Sequence, residues 1–293
     1  MTYLDLHMHS SYSSDGDFSP EELLRLCQGR GIRVMALTDH NSIKGIPEAM
    51  KAARKYGIQL IPGIELDCTF HGVNLHVLGY GIRDDERYHA YEKDIEEQES
   101  LAGTRRMDLI RSLGISFSEE RVRELSPMGI ITGEILAEAA MEEEANRNHP
   151  LMKPYFPGGG RDDNPYVNFY WDLCANGRPA YVPVIYKDLS EVTELIADTG
   201  GVAVLAHPGQ NIGCHEGVLE AIIAQGIHGL EALSSYHDDE TRAFYLKKAK
   251  EHGLFVTAGS DFHGKTKPSI RLGPEKAEGM EEEILKSLSE HLW

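Results

Sequence analysis

Six histidines and two carboxylates of this 293-residue chain stand in or just after short apolar segments, a placement that suits metal ligands. His7 and His9 close an alternating segment over residues 2–8, and His40 follows a second one in Thr38-Asp39-His40. Glu65 ends a third segment, His76 lies in a fourth, and His207 ends a fifth just before Pro208. Asp261 and His263 follow a seventh in Gly259-Ser260-Asp261-Phe262-His263-Gly264. Residues i and i+2 of a strand point to the same side, so His7 and His9 can grip one ion from one edge. Asp261 and His263 share that spacing and can serve two neighbouring ions. Glu65 is the natural bridge, because each oxygen of one carboxylate can bind its own ion. Imidazole plus carboxylate suits zinc, iron or manganese. A single His-x-His or His-Pro says little; six histidines repeating the same placement predict a metal site.

Such ligands meet only if their segments are strands that end on one face. Leu4, Leu6 and Met8 alternate with Tyr3, Asp5, His7 and His9, and this period of two predicts a strand. Ser19-Pro20-Glu21-Glu22 is a helix start, with Ser at the N-cap, Pro at the first helical position and Glu at the third. That helix is expected to reach about Arg30. Strands at 32–37, 58–65 and 73–80 and a helix at 47–56 follow. Residues 84–100 are acidic and helix-prone, with further helical stretches near 101–113, 118–125, 133–146 and 165–176 and a proline- and glycine-rich loop at 147–165. The alternation resumes with helices near 188–199, 215–225, 239–252 and 280–291 and strands at 202–207, 229–234 and 254–259. Strands interleaved with helices predict an α/β fold with parallel pairing, here a distorted seven-stranded (β/α)7 barrel. Residues 1–81 and 181–293 make up the barrel in this reading. Residues 82–180 are a mostly helical insert that roofs the active end, the C-terminal ends of the strands, where parallel barrels carry their active sites.

The formal net charge of −18 repels duplex nucleic acid, yet metal ions can reverse the field locally for a small phosphorylated ligand. No apolar run approaches the roughly 20 residues of a membrane helix, and the first residues show no secretory pattern. Cys27, Cys68, Cys174 and Cys214 are widely spaced, so free buried thiols in a reducing cytoplasm are expected. Nothing in the sequence sets an oligomeric state. His71, His89, His149, His215, His228, His252 and His291 fall in loops, helices or strand starts and are read as solvated or locally bonded. His237 follows the sixth strand on the active face and is a candidate for touching substrate.

His7-Met8-His9-Ser10 with Ser13-Ser14-Asp15-Gly16, then Thr38-Asp39-His40-Asn41, Glu65, His76, His207-Pro208 and Gly259-Ser260-Asp261-Phe262-His263 resemble the PHP (polymerase and histidinol phosphatase) superfamily. The match covers residues 1–80 and about 200–265. Asp15, where the histidinol phosphatases usually carry His, and the helical insert are similar to a branch that hydrolyses nucleoside 3′,5′-bisphosphates and trims short RNA from its 5′ end. The resemblance implies a metal-dependent phosphoesterase with two to three divalent ions (Mn²⁺, Zn²⁺ or Fe²⁺). It assigns His7, His9, Glu65 and Asp261 to one ion, Glu65, His76 and His207 to a second, and Asp15, His40 and His263 to a third. That branch carries a basic residue and a His in an insert helix near 131–137, which here reads Ile131-Thr132-Gly133-Glu134-Ile135-Leu136-Ala137. Arg161 and Arg178 are therefore the candidates for gripping substrate phosphate.

Two such ions would supply a water activated near neutral pH for in-line attack on phosphorus. His207, Asp261 and His237 are candidates to protonate the leaving oxygen. Other readings are a histidinol-phosphate-type or other small-molecule phosphatase, a C–N hydrolase of the amidohydrolase kind, and a regulatory module with a spent site. Amidohydrolases usually add a metal-bridging lysine at a strand end, and none stands at such an end here; the full ligand set counts against a spent site.

Overall fold

The computed structural model describes residues 2–127 and 129–292. Seven strands form one sheet in sequence order: β1 (Leu4–Asp5), β2 (Val34–Leu37), β3 (Gln59–Phe70), β4 (Val73–Tyr80), β5 (Val202–Leu205), β6 (Gly229–Ser234) and β7 (Phe255–Gly259). Parallel pairing joins β1 to β2, β2 to β3, β5 to β6 and β6 to β7. The sheet curls until its edges meet: the Leu6 amide donates to the Ala258 carbonyl at 3.0 Å, and Met8 bridges Phe262 in parallel. The product is the expected seven-stranded barrel, nearly closed.

β4 corrects the expectation of parallel pairing throughout, because it runs antiparallel to both β3 and β5. Only His71 and Gly72 separate β3 from β4, and their φ angles of 50° and 80° make a tight hairpin. A parallel return needs a dozen or more residues. β3 also runs on to Phe70, so Glu65 lies mid-strand, and the hairpin places His76 directly opposite Asp67.

α1 (Pro20–Gly29) starts with the anticipated Ser19–Glu22 capping box, and α2 (Ile46–Tyr56) closes on Gly57 at a left-handed φ of 66°. Between β4 and β5 lie α3 (Glu86–Ser112), α4 (Glu119–Leu125), α5 (Gly133–Met141) and α6 (Pro165–Phe169), the last continuing into a π-helical turn over Tyr170–Cys174. The stretches expected at 84–100 and 101–113 are one helix of 27 residues. Its first half buries Tyr88, Tyr91 and Ile95 in the core beneath β3 and β4. Ile110, near its end, joins a second core with Val122, Leu136, Met152 and Phe169. One continuous helix therefore ties the two cores together.

α7 (Leu189–Asp198), α8 (Pro208–Ile212), α9 (Glu216–Ile223), α10 (Asp239–His252) and α11 (Glu281–Leu292) complete the fold. Ile284 and Leu288 of α11 pack with Leu4, Leu78 and Val204 of the strands. Among the described residues, no helix is long and apolar enough to cross a membrane. All four cysteines are free; Cys27, Cys68 and Cys174 are buried, whereas Cys214 is exposed.

Candidate metal centre

The ends of β1, β2, β5 and β7 and the interiors of β3 and β4, which carry Glu65 and His76, bring the histidines and carboxylates to one place, in overlapping groups. His7 Nε2 and His9 Nε2 lie 3.0 and 3.1 Å from Glu65 Oε2, and 3.3 and 3.1 Å from Asp261 Oδ1. The other Glu65 oxygen, Oε1, lies 3.0 Å from His76 Nδ1 and 3.1 Å from His207 Nε2. Asp15 Oδ2 is 3.2 Å from His263 Nε2 and 4.0 Å from His40 Nε2, with His9 and His263 stacked at 3.9 Å between ring centroids. By the reach of their atoms, His7, His9, Glu65 and Asp261 could hold one ion, Glu65, His76 and His207 another, and His9, His40 and His263 a third, with Asp15 beside that last group.

Several of these atoms are buried without a hydrogen-bond partner: His7 Nε2, His9 Nε2, Glu65 Oε2, Asp261 Oδ1, His40 Nδ1 and His263 Nε2. Buried polar atoms left so are costly, and native chains satisfy nearly all of them. Nitrogen and oxygen lone pairs converging on shared points are the donor set that borderline divalent cations take. The residues present therefore fit such ions, and Glu65 faces two groups with separate oxygens.

A model of the PHP domain matches residues 5–142. The chain is 30% identical over 262 residues to a 5′-3′ exoribonuclease of Haemophilus influenzae, covering 88% of this chain and 89% of that one. The chain belongs to the PHP family. It is also 29% identical to a 3′,5′-nucleoside bisphosphate phosphatase of Chromobacterium violaceum (90% and 88% covered). A phosphoribosyl 1,2-cyclic phosphate 1,2-diphosphodiesterase of Eggerthella lenta is 28% identical (89% and 94% covered). A solved structure from Bifidobacterium adolescentis, assigned as a metal-dependent phosphoesterase, superposes with a TM-score of 0.75 at 26% identity, covering 97% of this chain and 96% of that one. As a PHP protein, this chain is a metal-dependent phosphoesterase.

The candidate ligands are held from behind. His7 Nδ1 lies 2.9 Å from Glu231 Oε1, His9 Nδ1 lies 3.0 Å from Ser13 Oγ, and His263 Nδ1 lies 2.9 Å from the Asp261 carbonyl. A partner on Nδ1 fixes ring orientation and, where it accepts the proton, leaves Nε2 bare. Asp39 accepts from the Ser10 amide at 2.6 Å and from Ser13 Oγ at 3.2 Å, so it braces the loop behind His9. Burial lifts its carboxyl to about 6. Gly259 is required here, since a Cβ would fall 2.2 Å from His7 Cβ and 2.3 Å from Glu231 Oε1. Asn41, His207 and Asp261 take φ angles of 55°, 25° and 58°. Left-handed backbone at non-glycine residues costs free energy and is held only where surroundings impose it. Burial and the neighbouring His263 and His40 depress the His9 imidazole to about 3. For His76, burial works the same way, but Glu65 and Asp67 outweigh it and raise the ring to about 9.

Three residues expected near substrate are elsewhere. Arg161 pairs with Asp172 at 3.1 Å and Arg178 is exposed; neither lines the cavity over the ligands. His237 is buried and its ring is engaged by backbone, with Nε2 accepting from the Gly209 amide and Nδ1 donating to the Ala232 carbonyl, both at 3.0 Å. Conversely, the sequence reading missed Asp67, whose Oδ1 lies 3.2 Å from His76 Nε2 and which joins His40 and His76 in a further group. Its position two residues after Glu65 was the available signal. It also missed Lys267, which arrives from the loop after β7 and pairs with Asp261 Oδ2 at 2.6 Å. This lysine pairs with one carboxylate and does not take the bridging place of an amidohydrolase lysine.

A cavity of about 500 Å³ opens over the ligands, with Asp15, His40, His76 and Asp261 on one side and Glu99, Glu134, Tyr170 and Trp171 of the 82–180 segment on the other. Burial and the neighbouring Asp15 lift the Glu134 carboxyl from 4.5 to about 7. A proton bound more tightly in the folded chain stabilises fully below the unfolded value, and that contribution is lost as pH rises through the folded one. Glu134→Gln removes the titration. In chelator-treated protein, the variant is expected to gain stability relative to wild type between about pH 5 and pH 8, by on the order of 2 kcal/mol. Thermal melts at both pH values check this, and a pH-independent difference overturns it.

Proposed function

We propose that this chain, in the cytoplasm, removes phosphate from a nucleotide, either a nucleoside 3′,5′-bisphosphate or the 5′ end of a short RNA, using two to three divalent ions (Mn²⁺, Zn²⁺ or Fe²⁺). The carrying observation is Glu65, one buried carboxylate whose two oxygens serve separate ligand groups. His7, His9, Glu65 and Asp261 would hold one ion, Glu65, His76 and His207 another, and Asp15, His40 and His263 a third. Ions held there would supply an activated water and would offset the charge on the phosphoryl oxygens. The chain's own residues orient and exclude. Burial favours a proton on Asp261, but Lys267, His263 and His7 outweigh it and keep the carboxylate well below its usual range. Asp261 is thus poorly placed to protonate a leaving oxygen, and so is His237 with both nitrogens engaged. The segment 82–180 roofs the ligands in this reading and sets which ester fits, since its side chains face them across the cavity.

Elemental analysis of protein purified without chelator is expected to find two to three divalent equivalents per chain; fewer than one after adding Mn²⁺ or Zn²⁺ sinks the reading. Phosphate release is then followed from 3′,5′-adenosine bisphosphate, a nucleoside monophosphate, histidinol phosphate and a short 5′-phosphorylated RNA. The bisphosphate is expected to turn over with a high KM, because residues 131–137 lack a basic group. No release from the nucleotides or RNA by metal-loaded protein rejects the nucleotide assignment.

A further inference from the structure

Lys267 is the one Lys or Arg among the described residues that line the cavity. The far wall is acidic, with Glu92, Glu96, Glu99 and Glu134 facing inward. Three of these carboxylates are paired from behind the wall, Glu92 and Glu96 with Lys44 and Glu99 with Arg106, so the cations of that wall are already engaged and Lys267 is the ammonium that an anionic ester meets in the cavity itself. The Lys267 side chain is only 12% exposed, so it is fixed rather than waving in solvent. Its Nζ lies 2.6 Å from Asp261 Oδ2 and 5.5 Å from the centre of the Tyr236 ring, whose hydroxyl meets the same oxygen at 2.5 Å. An ammonium has three donors. Asp261 takes one and the Tyr236 face covers another side, which leaves an N–H for the cavity. Asp261 turns its other oxygen to His7 and His9, so the ammonium sits one carboxylate away from that ligand group.

We propose that Lys267 grips the phosphoryl group of the substrate at the metal centre, supplying from the loop after β7 the one ammonium that lines the cavity. This rests on the phosphoesterase reading above. Lysine binds phosphate as a point charge, and here burial and the paired Asp261 hold that charge in place before substrate arrives. The competing role is purely supportive: Lys267 would only neutralise Asp261 and keep it oriented.

The two roles separate in calorimetric titrations of inorganic phosphate into wild type, Lys267→Met and Lys267→Arg, each Mn²⁺-loaded and matched for metal content by elemental analysis. Lys267→Met is expected to bind phosphate about ten- to a hundredfold more weakly at equal metal content, the size of one charge-assisted hydrogen bond. Lys267→Arg is expected to restore most of that affinity. Unchanged phosphate affinity in Lys267→Met overturns the proposal. So does a loss that vanishes once metal is brought back to wild-type stoichiometry, because Lys267 then acts only through Asp261. Should Lys267→Met fail to fold, Lys267→Gln is read in the same way. A wild type that cleaves no ester yet binds phosphate through Lys267 would sink the substrate assignment and leave this inference standing.

Discussion

Glu65→Gln is expected to lower phosphate release by at least ~10³, because a metal pair that activates water supplies several kcal/mol of barrier reduction. The reason is geometric. Glu65 Oε2 faces His7 and His9, whereas Oε1 faces His76 and His207. An amide in its place keeps one neutral acceptor and turns an NH₂ toward the other pair. One substitution therefore weakens two ion sites, and elemental analysis should show loss of more than one equivalent. His252, exposed at the end of α10, is the control, and His252→Ala should act like wild type. A Glu65→Gln protein that retains a tenth of the wild-type rate with full metal content refutes the bridging role.

The barrel and the convergence of most candidate ligands were legible because short apolar segments alternating with helix signals announce strands, and the candidate residues recur in or just after those segments. His7, His9, His40, Glu65, His76, His207, Asp261 and His263 all converge, as does Asp15. What escaped follows from three kinds of missing signal. Asp67 was lost because β3 was read as stopping at Glu65, although the hairpin at His71-Gly72 carries the strand to Phe70. Glu231 is the single charged residue in the apolar strand Gly229–Ser234, and a lone acid inside such a strand was the overlooked clue. Lys267 lies in a loop with no periodicity, so only the three-dimensional return of the chain toward Asp261 reveals it. Arg161 and Arg178 were chosen for charge and for nearness to a glycine run, but charge alone carries no direction. Asp172 holds one and solvent surrounds the other.

Glu231 sets the last expected result. It is fully buried, and its two oxygens face two different candidate ligands: Oε1 lies 2.9 Å from His7 Nδ1, and Oε2 accepts from the His207 backbone amide at 2.7 Å. The first contact puts the His7 proton on Nδ1 and frees Nε2 toward Glu65 and Asp261. The second helps hold His207 at its φ of 25°, a conformation the residue would not keep unaided. A glutamine cannot serve both. With its oxygen on the His207 amide, its NH₂ faces His7 Nδ1, so the ring must shift its proton to Nε2, the atom that points at the ligand group. With the amide flipped, His7 is satisfied, but two N–H groups confront each other at His207. Outer-shell changes of this kind typically lower metal affinity or activity by about 10–100-fold. Glu231→Gln is therefore expected to need correspondingly more Mn²⁺ for half-maximal activity, with the rate recovering at high metal because every direct ligand remains. Metal titrations of activity and of bound metal, run side by side, check this. Wild-type metal affinity in Glu231→Gln would show that His7 holds its tautomer without the carboxylate, and would remove Glu231 from the account of the centre.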